Sequence, residues 1–109
     1  MADTLVLAEN QSVKGEAMAS GKEVLDAWAY SSLFLELLVY KAEPFLMVGL
    51  ETAMSLDDEH GWHLLGYFTP MPSGKDSRGF GPLMRYVRWR AFAGDETGEA
   101  VFTLRGVAR

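Results

Sequence analysis

Between Ser32 and Thr52 apolar side chains recur at every second position, the period of an extended strand whose successive side chains point to opposite faces. Leu33, Leu35, Leu37 and Val39 share one face, and Phe34, Glu36, Leu38 and Tyr40 share the other. After Ala42-Glu43-Pro44 the alternation resumes, with Leu46, Val48, Leu50 and Thr52 set against Met47, Gly49, Glu51 and Ala53. We read this stretch as a β-hairpin whose Leu33 and Leu46 sets face a core. A helix over Ala27–Tyr40 also accommodates Leu33, Leu37 and Leu38, but Pro44 and Gly49 would cut short any longer helix, and the neighbouring segments read as strands.

Those neighbours carry the same pattern. Trp62–Phe68 is a short aromatic run between polar segments. Leu83–Phe92 sets Arg85, Val87, Trp89 and Ala91 against Met84, Tyr86, Arg88, Arg90 and Phe92, and Glu99–Val107 sets Phe102 and Leu104 against Val101, Thr103 and Arg105. Thr4–Ala8, Gln11–Ala17 and Glu23–Trp28 read as shorter strands, divided by Asn10 and by Ser20-Gly21. Pro70–Pro82 holds three of the four prolines and three glycines, so we expect a long loop there. About eight strands at spacings of roughly 8–12 residues predict an antiparallel two-sheet β-sandwich, jelly-roll-like. Its 109 residues suffice for one core and not two, so residues 1–109 are expected to be a single domain.

Composition removes several function classes. A net charge of −5 argues against a protein that binds nucleic acid by displacing counterions from phosphates. With no cysteine there is no disulfide, thiolate metal site or thiol nucleophile. No apolar stretch approaches the roughly 18 residues of a membrane-spanning helix. The Met1-Ala2-Asp3-Thr4 start lacks the basic and then apolar run of a secretory signal, so we expect a chain made in the cytoplasm without a signal peptide.

Candidate chemistry is sparse. His60 and His63 stand beside Asp57, Asp58 and Glu59, but positions three apart on a strand point to opposite faces, and a solvated turn explains the cluster better than a metal site. There is no Gly-x-Ser-x-Gly signature, and Ser73–Gly79 lacks the spacing of a phosphate-binding loop. We therefore expect neither an enzyme nor a cofactor. Trp28, Trp62, Trp89 and the four tyrosines suggest an alternative, a carbohydrate-binding sandwich that stacks sugars on exposed rings.

The non-core face of the 32–52 segment is unusual in being apolar. Phe34, Leu38, Tyr40, Met47 and Ala53 are interrupted only by Glu36 and Glu51, where an outward face is normally polar. Arg88 and Arg90 are placed to pair with Glu36 and Glu51 across sheet or subunit. Phe34, Glu36, Leu38, Tyr40, Met47, Glu51, Arg88 and Arg90 are accordingly the expected protein interface.

Five phrases follow one another along the chain: Tyr30-Ser31-Ser32-Leu33-Phe34-Leu35-Glu36-Leu37, Leu50-Glu51-Thr52-Ala53-Met54-Ser55, Trp62-His63-Leu64-Leu65-Gly66-Tyr67-Phe68, Met84-Arg85-Tyr86-Val87-Arg88-Trp89-Arg90 and Phe102-Thr103-Leu104-Arg105-Gly106. From about Ser31 onward the chain resembles small jelly-roll structural and decoration proteins of tailed phages and phage-derived particles. The resemblance implies a non-enzymatic component of a virion or other protein particle, a capsid decoration or accessory, or a tail or connector part. Such a component associates with copies of itself or with a shell or tail protein. The acidic, histidine-bearing tip at 57–61 departs from the glycine- and asparagine-rich tip of that pattern, and no ligand role carries over to it.

Overall fold

The computed structural model describes residues 2–19 and 23–109, which fold into nine strands and no α-helix. In chain order these are β1 (Asp3–Lys14), β2 (Glu16–Met18), β3 (Leu25–Asp26), β4 (Leu33–Glu43), β5 (Met47–Ala53), β6 (His63–Tyr67), β7 (Gly74–Phe80), β8 (Tyr86–Phe92) and β9 (Glu99–Ala108). One sheet runs β1-β9-β4-β7 and the other β2-β8-β5-β6, with β3 beside β2 on the same edge of β8. All the pairings are antiparallel.

The pairings are nested. β1 pairs with β9, β2 and β3 with β8, β4 with β7, and β5 with β6, as if one long two-stranded ribbon had been wrapped around a barrel-like core. The contacts β4–β9 and β5–β8 then zip successive turns of that ribbon together. This is the jelly-roll form of the β-sandwich, with β2 and β3 as two pieces of one strand.

The alternating residues fill the space between the sheets. Leu33, Leu35, Leu37 and Val39 on β4 face Leu46, Val48 and Leu50 on and before β5, all buried. Trp89 meets Phe102 edge to face at 5.4 Å, and Phe68 meets Phe80 in the same way at 5.3 Å, so each aromatic pair bridges the two sheets. The two buried threonines are satisfied. Thr52 donates to the Tyr86 carbonyl at 2.8 Å and accepts from the Met84 amide, while Thr103 accepts from the Asn10 amide and the Tyr40 hydroxyl. Gly15, at φ +66°, makes the corner where the chain leaves β1 for the opposite sheet; a Cβ there would press on the Glu96 carbonyl at 3.0 Å.

Several expectations are corrected. Ser32–Thr52 is not a hairpin: β4 and β5 lie in different sheets, joined by an arch around Ala42–Phe45. The 70–82 segment is not all loop, because β7 runs through it as an edge strand. Thr4–Ala8 and Gln11–Ala17 are not two strands divided at Asn10. β1 continues through Asn10, which sits at φ +46° within a bulged stretch, and the break comes at Gly15. Glu23–Trp28 contributes only the two residues of β3, and Ser20-Gly21 lies outside the described residues. Ala53 is buried rather than outward, and Arg85 precedes β8 in an exposed position rather than joining its core face.

Candidate functional site

Because β4 and β5 separate, the eight expected interface residues divide evenly between two outward faces. Phe34, Glu36, Leu38 and Tyr40 lie on the β1-β9-β4-β7 sheet, and Met47, Glu51, Arg88 and Arg90 lie on the β2-β8-β5-β6 sheet. The structure brings each group of four together and places the two groups on opposite sides of the sandwich.

On the first face the register of β4 against β9 sets Phe34 beside Val107, Glu36 beside Arg105 and Leu38 beside Thr103. β1 adds Thr4 and Val6 to the rows of Val107 and Arg105, and β7 adds Gly79, Ser77 and Lys75. Gly79 leaves room for the Phe34 ring, which lies 3.8 Å from where a Cβ would stand. Val6, Phe34 and Tyr40 are 58%, 56% and 54% exposed, far more than side chains of this kind show inside a sheet layer. In their midst Arg105 Nη2 reaches Glu36 Oε1 at 3.3 Å, with both side chains open to solvent. Glu36 thus takes Arg105 as its partner, and not Arg88 or Arg90 as expected.

On the second face Arg88 lies between Glu51 and Trp62. Its Nε donates to Glu51 Oε1 at 2.7 Å, and its guanidinium sits 4.0 Å from the Trp62 ring centroid. Arg90 bridges Glu51 at 3.5 Å and Glu16 at 3.3 Å. The Tyr67 ring covers Gly49, in the place a side chain there would occupy, and beside it a shallow depression is lined by Glu16, Met47, Tyr67, Arg90 and Phe92. Further along the same side Arg85 packs between Trp28 and Tyr86, at 5.4 and 5.2 Å from their centroids, and pairs with Asp26. Trp28 is 75% exposed. Sequence reasoning missed Val6, Arg105 and Val107 on the first face. Their signal was present, since Arg105 and Val107 fall on the non-core parity of β9, but their neighbours follow only from the strand order.

No protein-family model matches the chain, and no curated protein matches it in sequence.

The edges of the sheets are poorly suited to pairing with another chain. β1 carries two register shifts between Val6 and Gln11, β7 bears Lys75, Asp76 and Arg78, and β6, β2 and β3 are five, three and two residues long. Bulged, charged or short edge strands are the usual means of blocking strand addition. The two outward faces are thus the surfaces better suited to contact. Among the described residues no group of three or more histidine, aspartate or glutamate side chains is gathered as metal ligands would be, and His60 and His63 are both exposed, on a 3-10 turn and on β6. No helix among the described residues is long and apolar enough to cross a membrane.

Proposed function

We propose that this protein is a non-enzymatic structural component of a protein particle, of the virion type, working by association through its outward sheet faces. The observation that carries the reading is the β4–β9 face, where Val6, Phe34 and Tyr40 stand more than half exposed around one ion pair. Burying such side chains stabilises an interface by about 25 cal/mol per Å² of apolar surface, while the charges set register and exclude wrong partners. The blunted edges support the same reading, since they direct contacts to the faces and oppose open-ended strand addition. The resemblance to small jelly-roll decoration and connector proteins of tailed phages agrees with the nested strand pairing, and on that basis the particle is a phage or a phage-derived assembly.

The second face, with Trp28, Trp62 and the paired arginines, has the tryptophan, tyrosine and arginine content that dominates binding energy at protein interfaces. We assign it to a different protein of the same particle, a shell or tail subunit. Light scattering on the purified protein over a concentration series, alone and mixed with the products of adjacent genes, tests the proposal. A discrete oligomer or a saturable co-complex is expected. A strict monomer that binds none of those proteins but does bind oligosaccharides would overturn the proposal in favour of sugar stacking on Trp28 and Tyr67.

A further inference from the structure

Resting on the reading of the β4–β9 face as an association surface, we infer that its occupant is a second copy of this chain, related by a two-fold axis that runs along the strands between β4 and β9. The register makes the face complementary to itself. Glu36 and Arg105 are directly opposed on neighbouring strands, as are Phe34 with Val107 and Leu38 with Thr103. A two-fold lying between the two strands, in the plane of contact, exchanges them. β4 of one copy then covers β9 of the other: Phe34 meets the partner's Val107, Glu36 meets the partner's Arg105, and Leu38 meets the partner's Thr103. Every contact occurs twice, as an isologous interface requires.

The electrostatics favour this occupant. Within one chain a single contact joins the ion pair, Arg105 Nη2 to Glu36 Oε1. A guanidinium has five N–H donors and a carboxylate two acceptor oxygens, so both groups keep capacity for the opposite group of a partner. Two copies would bring together four charges of alternating sign within an apolar surround, where the local dielectric strengthens each pair. The chain's net charge of −5 does not oppose this contact locally. The acidic runs Asp57–Glu59 and Asp95–Glu96 lie in connections between strands, while the ionic groups in these central rows of β4, β9 and β7 are Glu36, Arg105 and Lys75, with Glu9 in the β1 bulge opposite Thr103. Four strands about 4.8 Å apart and up to twelve residues long make a face on the order of 19 Å by 41 Å. That is close to the roughly 800 Å² per partner buried in interfaces of standard size.

Charge reversal tests the arrangement. In Glu36→Arg both positions are basic, and in Arg105→Glu both are acidic, so each variant alone should set like charges against like. Each should raise the self-dissociation constant at least ~tenfold, as seen by sedimentation equilibrium, because like-charge juxtaposition is costly at an interface. Mixing the two variants should produce a one-to-one heterodimer, and the double variant Glu36→Arg/Arg105→Glu should self-associate again. Recovery on mixing cannot come from a fold damaged in each partner, and circular dichroism on each single variant checks the fold independently. A wild-type dimer indifferent to both reversals, or variants that do not recover on mixing, would overturn the two-fold contact while leaving association through another face standing. A wild-type chain that is monomeric yet still forms a co-complex with a shell or tail protein would also overturn it, again sparing the wider proposal.

Discussion

Adjacent residues on one strand separate stability from the proposed association. Leu37 is wholly buried between the sheets, while Leu38, one position on, looks outward beside Thr103 and Lys75. A charge at position 37 would have no partner in the core, at a cost of several kcal/mol and on the scale of the whole stability of a small domain. Leu37→Glu is therefore expected to unfold the protein, whereas Leu38→Glu should move the thermal midpoint by only a few degrees. Matched thermal denaturation of the two variants checks this, and equal unfolding by both would mean that the outer layer is also core. The same scale holds an unexplained feature. The Trp89 indole N–H is buried with no acceptor among the described residues, although its ring packs edge to face with Phe102.

At the scale of strands, alternation was legible and partnership was not. A period of two tells which side of a strand is apolar, and the Leu33, Leu46, Val87 and Phe102 sets all turn inward as expected. It does not tell which strand lies alongside. Ala42-Glu43-Pro44 has the composition of a hairpin turn, yet it serves as an arch, because β4 finds β7 and β9 and β5 finds β6 and β8. Phe34, Leu38, Tyr40 and Met47 were therefore read correctly as outward, Ala53 was not, and the set was wrongly gathered into one patch. β7 escaped notice for a different reason. As an edge strand it buries only Phe80, and Gly-Lys-Asp-Ser-Arg-Gly has no apolar period to read. It is held by its ladder with β4, and Asp76 adds a tie to the preceding connection, its carboxylate accepting from the Thr69 amide at 2.9 Å and from the Ser77 amide. The Thr69 bond, reinforced by the Ser77 amide and Arg78, holds the Asp76 carboxyl below its ordinary range. A carboxyl whose folded value is depressed contributes stability that is complete above its unfolded value and is lost as pH falls through the folded one. The stability advantage of the wild type over Asp76→Asn should accordingly be constant near neutrality and shrink below about pH 4. Urea titrations of both proteins across that range measure it, and a gap that persists in acid would contradict the role given to Asp76.

Taken whole, the molecule is a jelly roll with blunted edges and two dissimilar faces. One face centres on a solvent-open Glu36–Arg105 pair among aliphatic and aromatic side chains, and the other on arginines held by Glu51, Glu16 and tryptophan rings. A small sandwich built in this way can join a copy of itself on one side and a different protein on the other without forming open-ended fibres, because the proposed two-fold contact would close on itself. The weight-average mass of the wild type and of Leu38→Glu, measured side by side by sedimentation velocity at the same concentration, tests the central claim that the β4–β9 face is where this protein associates. The account predicts a discrete oligomer for the wild type and a folded monomer for the variant. A wild type that stays monomeric at every concentration, or a variant that keeps the wild-type mass, would contradict it.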